Sequence, residues 1–471
     1  MIENTLHSPN SIGAIAQDNL TILLNLDNSC LGKPSSLVKN AIRHLCGFQK
    51  GEKEQENASF ENFDILAREY YEKIKKFDSS GTQLAIFLLL LSSYFHELRH
   101  AHDLMSTTFG QDYLFKVLNC YQNSFAMLSE LKSWQDVDDN RRIPLPFKEN
   151  FSQCKGISSE ILRLINKYNQ ACSDIKNYQD QQISHFSATP IRLLETMAVD
   201  IQLDFIHDLF GDEALSVLIK IIQNNSESSK YLRIRNDLRD AFYEAGFRED
   251  KLGSIINYIS WTSLMLTNQY KQEPYECLNS ATYFDGLVDY ILRETKVKSL
   301  KETIESVNDF CQKWNLYNPN EMQQIVVKYL NKRKAKFKEA SLSIPKDDFR
   351  SSIQNTYFSF IDAFDAINTV ISKSQEAYFG QRLYCWTFLA GLLPSIHIKL
   401  LDDGIIYNCM STGKIVIDYN NWSKTTIMST SFKLILEGKP TQESFYDRII
   451  MDSMSHDMGL KFVDRGELFQ F

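Results

Sequence analysis

Five consecutive residues, His96-Glu97-Leu98-Arg99-His100, carry the strongest chemical signal in the chain. On an α-helix, residues four apart sit one above the other, so two imidazoles at that spacing can grip one metal ion. Glu97, directly after the first histidine, then points to the side where a bound water would lie. Two neutral nitrogen ligands and a carboxylate base are what a zinc hydrolase needs. Histidine is scarce, nine in 471 residues. A chance match would arise in roughly one chain in a hundred of this composition. Context strengthens the signal. The run Leu84 to Phe95 (LAIFLLLLSSYF) is almost wholly apolar and feeds into the motif without Gly or Pro. A helix apolar all round is a buried one, and buried polar groups need partners, of which a metal is the obvious one.

Two histidines do not complete a catalytic zinc site; a third protein ligand must leave the fourth position open. The local extension H-E-x-x-H-x-x-G-x-x-H is absent, because Asp103 and Ser106 hold the positions needing Gly and His. His102 lies two residues past His100, about 200° round the helix, and is expected to face solvent or make a hydrogen bond rather than bind metal. The best third ligand is Glu195, a carboxylate flanked by apolar residues on a helix that Pro190 begins. Ala198, one turn on, is small enough to let that helix approach the motif closely. The alternative for Glu195 is a buried ion pair with Arg192 or Arg99. Asp200 and Asp204 are the next candidates as ligand.

An H-E-x-x-H helix with a glutamate on a later helix resembles the gluzincin branch of the zincin metallopeptidases. The resemblance covers His96 to His100 and the surroundings of Glu195. The thermolysin-like form has Asn directly before the Glu and Ser-Asp shortly after it, where this chain has Leu194 and Val199-Asp200. It is therefore not a close match to that form. The resemblance implies a zincin-like helical core and zinc-dependent peptide hydrolysis. His96, His100 and Glu195 would hold Zn2+. Glu97 would take a proton from the water and pass it to the leaving amine. A metal-bound histidine usually donates its other N–H to a carboxylate or carbonyl, and Asp103 and Asp200 are the candidates for such support. His185 and His207 are candidates to stabilise an oxyanion.

The elements that must position these groups read as mainly α, with small β elements near both termini. Gly and Pro are few, 18 and 10, which favours helices over a turn-rich barrel. Hydrophobic content of 43%, charge content of 23% and aromatic content of 12% describe a globular chain rather than a disordered one. Residues 11–28 read as a hairpin and Pro34 to Leu45 as a short helix. Helices follow near 60–77, 82–107, 111–132, 157–178, 190–210 and 212–223, with loops at 136–150 and 177–190. The polar run 224–230 is the clearest boundary. Beyond it, 231–340 is helical with a break at Asn318-Pro319. Trp386 to Leu401 reads as core. Residues 404–419 read as a hairpin turning at Ser411-Thr412-Gly413, and 426–436 as a further strand. The expected divisions are an N-terminal β/α segment (1–58), a helical metallopeptidase core (59–223), a helical domain (224–345) and a C-terminal α/β region (346–471).

Net charge is −8, so no global electrostatic case exists for nucleic acid or an anionic membrane. The basic run Lys328 to Lys338 is expected to be a solvated helix face. The apolar run before the motif, about 12 residues, is shorter than the roughly 20 a membrane span needs. Nine scattered cysteines without a C-x-x-C pair argue against a disulfide framework, and no signal peptide is visible. The expectation is a cytoplasmic zinc metallopeptidase acting on a specific protein or peptide, with the C-terminal helical region free to meet a regulatory partner. The alternative is a non-catalytic zincin-like binding or regulatory protein.

Overall fold

Helix α3 (Thr82–Ser106) forms because its apolar residues leave no break from Leu84 to Phe95, and it starts where Asp78 supplies a cap. The Asp78 carboxylate accepts the Leu84 backbone N–H at 2.9 Å, which satisfies a donor that the first turn cannot pair. From Ile86 to Ser106 nearly every residue is buried. Each fully buried Leu, Ile or Phe there contributes about 1.5–3 kcal/mol, so the motif helix is anchored by its own N-terminal half.

The computed structural model describes residues 13–16, 21–26, 31–46, 60–144, 147–179, 189–224, 228–247, 249–267, 280–293, 299–341, 349–380, 397–402, 405–410 and 459–461. Before α3 come β1 (Gly13–Ala16), β2 (Thr21–Asn25), α1 (Ser36–Leu45) and α2 (Phe60–Phe77). After it come α4 (Thr108–Asp136), α5 (Phe147–Asn150), α6 (Ser159–Gln179), α7 (Pro190–Phe210) and α8 (Asp212–Asn224). The later helices are α9 (Ser228–Glu244), α10 (Glu249–Met265), α11 (Ser280–Arg293), α12 (Leu300–Lys313), α13 (Pro319–Ser341), α14 (Phe349–Lys373) and α15 (Gln375–Gly380), followed by β3 (His397–Asp402) and β4 (Ile405–Met410). The architecture is mainly helical, as expected, and its strands form one small sheet. Among the described residues no helix is long and apolar enough to cross a membrane.

The sheet departs in its pairing from the sequence reading. Its order is β1-β2-β3-β4, with antiparallel hairpins at each end and a parallel junction between β2 and β3. The two terminal β elements are thus one structure. The strand β4 takes β3 as its partner, a segment read from the sequence only as part of an apolar core run. The expected partner at 414–419 and the strand at 426–436 lie outside the described residues. The 136–150 stretch, expected as loop, carries the short helix α5.

Helix α3 packs most heavily against α7. The two run antiparallel: Phe87 meets Phe210, Ser92 bonds Gln202, and Arg99 reaches Met197. Helix α7 begins at Pro190 with Thr189 as its cap, the threonine oxygen accepting Arg192 N–H at 3.2 Å. Phe95, just before the motif, is locked between α2 and α7 by Phe63 (ring centroids 5.7 Å apart) and Phe205. At the far end, α3 turns directly into α4 through Thr107. A Cβ on Gly110 would stand 2.1 Å from the Leu104 carbonyl oxygen, so only glycine permits this joint. One buried hydrophobic cluster extends from Ile22 to Leu460 and holds both faces of the α3–α7 pair.

Candidate metal centre

The antiparallel pairing brings Glu195 of α7 onto the two histidines of α3. His96 Nε2 lies 3.1 Å from Glu195 Oε2, His100 Nε2 lies 3.4 Å from Glu195 Oε1, and the two Nε2 atoms are 3.1 Å apart. One ligand atom from each residue falls within 4.8 Å of the other two, so the group could hold a metal ion. The separations fit. Ligand atoms about 2.1 Å from a tetrahedral zinc-sized ion stand about 3.4 Å from one another. The chemistry of the set fits too: two imidazoles and a carboxylate are a donor set that suits zinc. The side chains are 15% (His96), 8% (His100) and 19% (Glu195) exposed, so the point where they meet is sheltered.

Without a metal the site stores a proton. Burial pulls the His100 imidazolium down, but the Glu195 carboxylate, aided by Glu97 and Asp103, more than offsets it and raises the pKa to about 9. Burial would raise the Glu195 carboxyl, yet His100 and His96 hold it well below the ordinary carboxylate range. Glu97 is itself buried, and its charge adds to those that raise the His100 pKa.

The expected Glu195 is the third member of the cluster; the other acidic candidates are elsewhere. Asp200 is buried against α9 and α10, where its oxygens accept from Arg235 Nε at 2.6 Å and Asn257 Nδ2 at 2.9 Å. It is not in the cluster, and two arginines on α9 pair with it. Asp204 is buried and is not in the cluster. Asp103 does not bond His96 or His100. A buried guanidinium one turn back takes it first: Arg99 Nε donates to Asp103 Oδ2 at 2.8 Å, fully inside the protein. Arg99 is thereby committed to Asp103 rather than to Glu195.

His102 corrects the sequence reading in part. It faces away from the ligands, as the helical angle requires, but that side is core rather than solvent. Its Nδ1 meets Asp103 Oδ1 at 3.0 Å and its Nε2 meets the Tyr378 hydroxyl from α15. Burial keeps this imidazole from charging, lowering its pKa. His207 sits at the C-terminal end of α7, twelve residues or about 18 Å along the helix from Glu195, with Asp208 and Asp212. It cannot reach a reacting carbonyl held at the cluster. His185 lies outside the described residues.

Sequence reasoning missed Gln202. Its Oε1 lies 3.2 Å from His96 Nδ1, the nitrogen turned away from the cluster. Its spacing from Glu195, seven residues or two turns, places both on one face and is the signal that could have found it. The basic run on α13 is partly absorbed into packing. Arg333 lies over the Phe115 ring at 3.2 Å and Lys334 pairs with Asp362.

No family model, no curated protein and no solved structure matches this chain.

Proposed function

We propose that this protein is a zinc-dependent metallopeptidase that hydrolyses peptide bonds of a specific protein or peptide. The observation that carries the reading is the convergence of His96, His100 and Glu195 from two antiparallel helices, with Glu97 next to the first ligand. A helix bearing H-E-x-x-H crossed by a helix bearing the glutamate is the core that a zincin-like enzyme requires.

A zinc ion in this site would lower the pKa of a water and polarise a scissile carbonyl. The protein's own part is orientation and proton transfer. The buried apolar half of α3 holds the two imidazoles in register, and Glu195 closes the third side from α7. Glu97 would accept the proton of the attacking water and return it to the leaving nitrogen, a role that suits a buried carboxylate one residue past His96. Cys46, Cys120, Cys154, Cys172 and Cys311 form no disulfide, which fits the reducing cytoplasm that this reading assigns to the enzyme.

The test is metal content and peptide cleavage on the full chain, run beside Glu97→Gln and the double variant His96→Ala/His100→Ala. The expected result is about one zinc per chain in the wild type. Glu97→Gln should keep the zinc and lose cleavage of a diverse peptide library, while the double variant loses both. Cleavage that survives Glu97→Gln would overturn the catalytic assignment. Zinc that survives the double variant would overturn the site.

A further inference from the structure

A histidine can offer a metal only the nitrogen that lacks a proton, so the tautomer of His96 decides whether the site can form. His96 Nε2 faces Glu195 and His100, while Nδ1 faces Gln202 Oε1 at 3.2 Å. The direction of that second bond is set further back. A backbone carbonyl can only accept, so the Ser92 hydroxyl, 3.0 Å from the Leu89 oxygen, donates its single proton there. Ser92 Oγ is left as an acceptor, and the amide NH2 of Gln202 donates to it at 2.9 Å. The Gln202 carbonyl must then face His96, and being an acceptor it calls for a proton on Nδ1. The Nε2 lone pair is left free. Turning the amide over would present NH2 to Nδ1 and drive the proton to Nε2, where the cation should sit. It would also cost Ser92 its bond to Leu89. Ser92 is fully buried and Gln202 nearly so, which leaves little room for water to replace either partner.

We propose that Ser92 and Gln202 form a relay that holds His96 in its metal-binding tautomer, with Gln202 as the positioning residue and Ser92 keeping its amide from turning over. The proposal rests on the metal-centre reading above. It also explains why a neutral amide serves where a carboxylate is common. An amide has a right and a wrong orientation, and the serine supplies the difference.

The experiment measures zinc affinity by chelator competition on the full chain for wild type, Gln202→Leu, Ser92→Ala, Gln202→Glu and Ser92→Ala/Gln202→Glu. Thermal unfolding of the metal-free proteins serves as the folding control. Long-range 1H–15N spectra of 15N-histidine protein read the tautomer of His96 directly. Gln202→Leu is expected to weaken zinc by about 10–100-fold, and Ser92→Ala by less. Gln202→Glu has no donor to present, so it should bind at least as tightly as wild type and be indifferent to Ser92→Ala. That rescue is what a merely structural serine would not produce. Equal losses from Ser92→Ala in the wild-type and Gln202→Glu backgrounds would overturn the relay, as would a wild-type His96 that keeps its proton on Nε2 in the zinc-loaded protein. If Gln202→Leu fails to fold, the Ser92→Ala and Gln202→Glu pair carries the test alone. If the wild type binds no zinc, the metal-centre reading fails. The relay is then judged by whether Ser92→Ala shifts the His96 tautomer away from Nδ1–H.

Discussion

Glu195→Gln is the sharpest perturbation of the site, because it keeps shape and removes charge. Glu195 touches both His96 and His100 and is the one member of the cluster supplied by α7. Structural zinc sites bind with about 10–16 kcal/mol, so each of four ligands carries about 3 kcal/mol. Exchanging the carboxylate for a neutral amide should forfeit most of that share, about two powers of ten in Kd. The consequence can be read without activity. At free zinc about 100 times the wild-type Kd, binding stabilises the native fold by about 2.7 kcal/mol. The variant is then only at its own Kd, where the gain falls to about 0.4 kcal/mol. Urea unfolding with and without zinc should therefore show a clear zinc-dependent shift in the wild type and almost none in Glu195→Gln. His96→Ala, which removes a ligand outright, should behave at least as severely. A Glu195→Gln protein that keeps the full zinc-dependent shift while His96→Ala loses it would refute the assignment and require a third ligand elsewhere.

Three further outcomes follow from the same geometry. In metal-free protein the His100 pKa is raised from 6.5 to about 9, so its pairing with Glu195 stabilises the fold fully below about pH 6.5 and is lost as pH rises through about 9. The gap corresponds to about 3 kcal/mol. Urea unfolding in chelator at about pH 6 and about pH 9.5 should show the loss, and Glu195→Gln should flatten it; a profile unchanged by that substitution would count against the pairing. Asp200→Asn leaves the largely buried Arg235 facing a neutral amide and should cost about 3–5 kcal/mol. Zinc content should not change, and loss of zinc from a variant that remains folded would return Asp200 to the ligand set. Gly110→Ala forces a methyl against the Leu104 backbone at the α3–α4 joint. It should destabilise by about 1–3 kcal/mol or more, and an unchanged melting temperature would show that the joint can relax.

The sequence by itself determined what depends on helical spacing alone. The i, i+4 histidines, the neighbouring Glu97 and the apolar run that buries them are local facts, and the structure has them on one helix. Glu195 was legible for a different reason: a carboxylate between apolar residues on a Pro-started helix needs a partner, whatever the fold. The Arg99–Asp103 pair was likewise open to reading from its four-residue spacing, although the sequence could not say that it would outcompete the histidines for Asp103.

Tertiary structure decided everything that depends on what covers each face. The angle of His102 was computable, but whether water or protein lies there was set by α15, which brings Tyr378 across 276 positions of sequence. Asp200 was a runner-up to Glu195 on spacing, and α9 and α10 supplied it with Arg235 and Asn257. The spacing of Gln202 put it on the Glu195 face, but its task exists only in the antiparallel register that sets it against Ser92 and His96. The sheet follows the same logic, since the parallel pairing of β2 with β3 joins segments from opposite ends of the chain. Local periodicity is a property of neighbours in sequence. Partner choice among buried polar groups is a property of packing, because each must be satisfied by whichever donor or acceptor the fold delivers.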